Sequence, residues 1–245
     1  MLNDITFGQF IDMGSVVHRL DPRTKLLLLI LFIVFIFIAN GFFALGILAC
    51  FSVASMLLSK IPMKMYLKNI KSILPIILIT ALLNVFYAGS GRVLVDWWIF
   101  TITSSGVSRA VFMALRIILL ILSSAVLSYT TSPTSLTGAI ESLLKPLKFI
   151  GLGNAVHTMA MVMTIALRFI PTLIEETGKI MNAQKARGAD MESGSIIKRV
   201  KALLPILIPL LISSIRRAYE LAEAMECRCY NGGSGRTKFR IMKYT

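Results

Sequence analysis

Two arginines, Arg187 in "AQKARGAD" and Arg228 in "AMECRC", stand forty-one positions apart in the same local register, each with an alanine four residues earlier, Ala183 and Ala224. A guanidinium is planar, stays charged and grips carboxylates through two parallel N–H donors. One such arginine has an ordinary explanation: basic residues favour a helix C-terminus, and Gly188 supplies the left-handed residue that ends the helix. Two in matched register, one framed by Ala186 and Gly188 and the other by Cys227 and Cys229, read instead as two plugs for two similar acidic grooves. The chemistry is docking.

Other chemistry finds little to work with. A phosphate-binding loop needs G-x-x-x-x-G-K-[ST], and "NGGSGRTK" lacks that spacing, so ATP hydrolysis has to come from a partner. His18 and His157, the only histidines, form no recognised zinc spacing with Cys227 and Cys229, and read as satisfied or interfacial side chains. No cofactor is expected. Asp96 is the only acidic residue between Lys25 and Arg116, which leaves no carboxylate pair for acid–base work inside the apolar segments. Arg168 is the most isolated polar candidate, with a snorkelling arginine as its plain reading and a partner contact as the other. Met159, Met161 and Met163 read as packing, in a form that tolerates re-packing.

The elements that carry the two arginines are legible from hydrophobic patterning. Fifty-six per cent of the 245 residues are apolar, and the mean hydropathy of +0.78 is too high for a soluble globule. A net charge of +14 would suit nucleic acid in a soluble chain, but here the cations sit at the ends of apolar runs, as in cytoplasmic loops of membrane proteins. The lipid bilayer is the expected solvent, and no nucleic acid is expected as a partner. Three cysteines, Cys50, Cys227 and Cys229, give no disulfide framework. The first fifteen residues lack the features of a cleaved signal peptide, so the first span serves as its own targeting signal.

Asp21 caps and Pro22 starts a first helix reaching Ala39, which Asn40-Gly41 turns into a second from Phe42 to about Ser59. Lys60, Lys64, Lys68 and Lys71 crowd the next connection and, with Arg19, Arg23 and Lys25, place it and the N-terminus in the cytoplasm. A third span runs from about Ile70 to Ala88, with Pro75 as a kink. "GSGRVLVDWWIFTITSSG" reads as an external loop with interfacial aromatic rings, and a fourth span covers Val107 to Leu127, where Arg109 and Arg116 must snorkel or pair. Ser132 and Pro133 begin a short amphipathic helix ended by Pro146. Two long helices follow, Asn154 to Arg187 and about Ile196 to Arg228, each apolar first and charged last. Glu175 with Lys179 and Arg216 with Glu220 read as i,i+4 pairs, and Ala218, Leu221, Ala222 and Met225 as a stripe on which the two helices pack. Both charged ends need one compartment, so these helices are expected to lie along or tilt into the inner leaflet. The fold class is all-α membrane protein, with a transmembrane helical domain over 1–130, a coupling domain over 131–230 and a basic tail over 231–245.

"HRLDPRTKLL", "TTSP" and the paired tips "ARG" (186–188) and "CRC" (227–229) resemble the EcfT/CbiQ family, the transmembrane scaffold subunits of energy-coupling factor transporters. The likeness covers nearly the whole chain. It implies a non-catalytic subunit of a prokaryotic cell membrane whose two long helices cross as an X. Each tip docks into one of two ABC-type ATPase subunits through its arginine, and the scaffold cradles a substrate-binding membrane S component for vitamin or metal-ion uptake. Arg187 with Ala186 and Gly188 matches that pattern fully. Arg228 matches, but Cys227 and Cys229 replace alanine and glycine, and Cys229 costs energy if the backbone there needs positive φ. The resemblance also implies a further apolar span after the second tip, which makes the basic tail the point where the chain is shortened or diverges. The alternative is a stand-alone transporter or channel, which would need polar residues lining a path through the apolar spans. An intramembrane enzyme lacks an acid, base, nucleophile or metal set.

Overall fold

The computed structural model describes residues 10–87, 93–97, 100–146, 151, 153–189 and 196–232. Its elements are α1 (Val16–Arg19), α2 (Pro22–Ile38), α3 (Phe42–Ser59), α4 (Met63–Tyr87), β1 (Val93–Trp97), β2 (Phe100–Thr103), α5 (Ser104–Thr130), α6 (Pro133–Leu143), α7 (Gly153–Ala186) and α8 (Ile196–Glu226). The architecture is that of an all-α membrane protein. Among the described residues five helices, α3, α4, α5, α7 and α8, are long and apolar enough to cross a bilayer. The chain divides into two compact units, one within Gly8–Ala139 and one within Ile140–Arg240.

In the first unit, α2 begins as its sequence dictates: Pro22 occupies the first turn and the Asp21 carboxylate accepts the Arg23 N–H at 3.0 Å. It stops at Ile38, where Asn40-Gly41 turns the chain into α3. The seventeen residues of α2 rise about 25 Å, close to the hydrocarbon thickness. Helix α5 packs against α2, α3 and α4 and is the hub of the unit. One apolar cluster joins Phe32, Ile36, Leu45 and Leu119, and another joins Met56, Ile61, Tyr66, Leu122 and Tyr129. Inside the second, Tyr66 and Tyr129 meet edge to face, and the Tyr66 hydroxyl shares a 3.0 Å hydrogen bond with Ser59.

Helix α4 departs from the sequence reading. It starts at Met63, so Lys64, Lys68 and Lys71 belong to its first turns, and only Lys60 lies in the connection. The reason is periodicity: spaced by four and three, these lysines occupy one exposed helical face and interrupt nothing. Pro62 precedes the helix and its carbonyl accepts the Met65 N–H. The segment expected as an external loop also pairs locally. Strands β1 and β2 form an antiparallel hairpin, Trp97 opposite Phe100, which leads directly into α5 through the Thr103 cap on Gly106.

Two cations fasten α2 to α5. The ammonium of Lys25, in the first turn of α2, donates to the Thr130 carbonyl at 2.9 Å and to Thr131 Oγ1 at 3.4 Å, where α5 ends. Reciprocally, Arg116 on α5 donates to the Ala39 carbonyl at 2.8 Å, where α2 ends, and its guanidinium lies 4.8 Å from the Phe112 ring. Each helix thus satisfies a terminal carbonyl of the other. Of the two choices open to Arg116, pairing is the one taken; Arg109 is exposed.

Candidate functional site

Helices α7 and α8 end in the same way. At the end of α7 the Gly188 N–H donates to Lys185 O at 3.0 Å and the Ala189 N–H to Gln184 O at 3.0 Å. At the end of α8 the Cys229 N–H donates to Glu226 O at 2.8 Å and the Tyr230 N–H to Met225 O at 3.1 Å. This double bond pattern, closed by a left-handed residue, is the Schellman termination. The left-handed residue is Gly188 (φ 82°) in one helix and Cys229 (φ 54°) in the other. Arg187 and Arg228 therefore occupy equivalent positions, each the last residue before the reversal. Ala186, Arg187, Gly188, Cys227, Arg228 and Cys229 are all exposed. The cysteine that stands where the resemblance expects glycine does carry the positive φ that costs a side chain energy.

The two tips belong to one packed pair of helices. Glu176 of α7 meets Arg217 of α8 at 2.7 Å and accepts a hydrogen bond from Ser213, and Gln184 donates to Pro205 O at 3.3 Å. Contact positions rise along α7 as they fall along α8, so the helices run in opposite senses through the contact. Glu176 lies eleven residues before Arg187, and Arg217 eleven before Arg228. Each tip is thus about 16 Å along its helix from the ion pair.

Sequence reasoning missed Glu176, Ser213, Arg217 and Gln184. The ion pairs it chose, Glu175 with Lys179 and Arg216 with Glu220, use residues that are exposed; the neighbours Glu176 and Arg217 face inward and join the helices. A signal was present, because Glu176 and Arg217 are forty-one positions apart, the offset that relates the two tip arginines. The helices do pack on each other, but Ala218 and Ala222 of the expected stripe are exposed. Cys227 and Cys229 lie in the terminating turn, beyond the last helical residue.

The remaining candidates are placed as follows. Arg168 is exposed and Met161 and Met163 are half-buried. His157 pairs with Glu141 at 3.6 Å. His18 bonds two groups at once: a carbonyl only accepts, so Nε2 donates its hydrogen to Ile11 O at 2.6 Å, while Nδ1 shares a 2.6 Å hydrogen bond with the Ser15 hydroxyl. His18 O in turn takes part in holding Lys25 at 3.3 Å. The motifs "HRLDPRTKLL" and "TTSP" are in this way one buried polar node at the end of α5. Among the described residues no group of three His, Cys, Asp or Glu is placed to hold a metal ion.

Residues 13–239 match the family described as cobalt transport protein, CbiQ. The chain is 51% identical over 244 residues to the energy-coupling factor transporter transmembrane protein EcfT of Acidaminococcus fermentans, covering 100% of this chain and 90% of that protein. It is 47% identical over 245 residues to the protein of that name from Ruminiclostridium cellulolyticum, covering 100% of this chain and 91% of the relative. The Bacillus subtilis counterpart is 42% identical over 245 residues, with 100% of this chain and 92% of the relative covered. A likeness of that extent, spanning essentially the whole length of the chain, makes it a member of the EcfT/CbiQ family.

Proposed function

We propose that this chain is the transmembrane scaffold of an ECF-type ABC importer, coupling ATP hydrolysis by two partner ATPases to movement of a substrate-binding S component. The observation that carries the reading is the pair of matched helix ends, each offering one exposed arginine just before a left-handed turn. Arg187, with Ala186 and Gly188, docks one ATPase subunit, and Arg228, with Cys227 and Cys229, docks the other. Both tips lie in the cytoplasm. Because α7 and α8 run oppositely through their contact, the tips diverge from it, which suits two separate motor subunits.

ATP binding draws the two ATPases together. Their displacement enters at the arginines, is carried through the Glu176–Arg217 contact, and tilts the S component so that its cargo is released inward. The cargo, a vitamin or a metal ion, is chosen by the S component. This chain supplies no catalytic group.

Co-purification tests the assignment. Arg187→Glu places a negative charge against an acidic groove and costs about 2–5 kcal/mol of docking, as loss of a buried interfacial charge pair does. It releases one ATPase subunit and abolishes uptake while the membrane unit keeps its fold; Arg228→Glu does the same for the other subunit. An intact complex with both charges reversed refutes the docking role. Uptake by this chain alone in liposomes would show a stand-alone transporter instead.

A further inference from the structure

The first turns of α4 carry a basic stripe that nothing among the described residues neutralises. Lys64, Lys68 and Lys71 recur at spacings of four and three, which puts them within about 60° of one another on the helix. All three are exposed, as is Lys60 just before the helix. No Asp or Glu occurs anywhere between Asp21 and Asp96. Among the described residues, none of these lysines' ammonium groups has an ion-pair or hydrogen-bond partner. The tertiary structure adds cations at the same end. The Tyr129 hydroxyl reaches Met65 O at 3.5 Å, so the stripe begins beside the end of α5, where the Arg19-to-Lys25 segment is anchored.

The same face of α4 continues as hydrocarbon. Pro75, Leu78 and Leu82 project within about 40° of the lysine row, and all three are exposed. Helix α4 has 25 residues and rises about 37 Å, some 7 Å more than a hydrocarbon core needs. Its first turns therefore stand in the headgroup layer, and Lys71 reaches back to that layer by its flexible stem. A row of ammonium groups in the headgroup layer, followed on one line by apolar side chains, has the shape and polarity of a phospholipid with an anionic head.

We infer that this face of α4 is a binding site for an anionic phospholipid, whose head is held by Lys64, Lys68 and Lys71 and whose acyl chains lie along Pro75, Leu78 and Leu82. A topology signal alone needs only positive charge at that end. A lipid site needs the charges in line with the apolar row, and that difference can be measured.

The full chain, extracted from vesicles of equal phosphatidylglycerol and phosphatidylcholine, is assayed by mass spectrometry for the lipid it retains. The wild type retains phosphatidylglycerol preferentially. The triple variant Lys64→Gln, Lys68→Gln, Lys71→Gln loses about fivefold in that preference per lysine. A second variant adds Met63→Lys, Leu67→Lys and Leu74→Lys to the triple, which keeps the net charge and the topology signal but turns the cations about 80° round the helix, onto other exposed positions. It loses the preference as well. Undiminished retention by either variant overturns the site. So does cross-linking of position 68 to a protein subunit in cells, since the face would then be covered by protein.

Discussion

The side-chain amide of Gln184 on α7 donates to the main-chain carbonyl of Pro205 on α8, and that carbonyl is the one Pro209 leaves without a partner inside its own helix. Proline has no N–H, so the oxygen four residues before it loses the donor that a helix would supply. A side chain from the neighbouring helix takes its place. Proline in α8 thereby becomes an attachment point for α7, where it would otherwise weaken the helix.

This relationship predicts a conditional effect. Gln184→Ala should destabilise the helix pair by about 0.5–1.5 kcal/mol, the usual worth of one hydrogen bond. In a Pro209→Ala background the helix supplies its own donor, and the cost of Gln184→Ala should fall close to zero. Thermal melts of the four proteins form the cycle; equal costs in both backgrounds would show that the amide does not replace the missing donor.

The two left-handed terminations should respond oppositely to substitution. An added Cβ at Gly188 meets nothing within 4 Å, so Gly188→Ala pays only for the backbone at φ 82°, about 1–2 kcal/mol. Cys229→Gly removes that strain at φ 54° and, after the entropy of a glycine is counted, should stabilise by about 0.5–1 kcal/mol. Exchange of the Ala189 amide should speed up in the first variant and that of Tyr230 slow down in the second. A loss of protection at Tyr230 in Cys229→Gly would contradict the account.

Lys25 and Arg116 should act as independent fasteners. Lys25→Met leaves Thr130 O without its donor, and Arg116→Met does the same to Ala39 O, each costing about 1–3 kcal/mol. Fourteen residues separate Lys25 from Ala39 on α2, and fourteen separate Arg116 from Thr130 on α5. The two bonds are thus about 21 Å apart, beyond the range at which substitutions usually interact. The double variant should show the sum of the single losses; a discrepancy above about 0.5 kcal/mol would mean the ends are coupled.

The Glu176–Arg217 pair should prove modest in stability and sensitive to salt. Its side chains are a fifth and a third exposed, so a double-mutant cycle with Glu176→Gln and Arg217→Met should give about 0.5–1 kcal/mol, falling as ionic strength rises. Coupling that does not change with salt would point to a packing contact in place of an electrostatic one.

Much of this architecture was legible in one dimension. Long apolar runs have to become helices in lipid, because every backbone polar group must be satisfied within its own segment. Local signals then mark the ends: Asp21 and Pro22 begin α2 and Ser132 caps α6, in the structure as in the sequence. The register of forty-one residues disclosed the paired arginines, and the glycine at the matching position marked Cys229 as the place where a positive φ would carry a cost, which the structure then showed at φ 54°. These properties depend on a few neighbouring residues, so a sequence carries them whole.

What the tertiary structure alone decided are the pairings. Nothing local says that Lys25 finds Thr130 or that Arg116 finds Ala39, more than seventy residues away in each case. Glu176 and Glu175 differ little as letters, yet only one turns toward α8, because the helix that packs there chooses the buried face. Lys64, Lys68 and Lys71 looked like a connection until α4 proved to begin before them. A side chain's partner is set by how whole helices pack, and a buried cation or carbonyl has to find whichever opposite group that packing brings within about 3 Å.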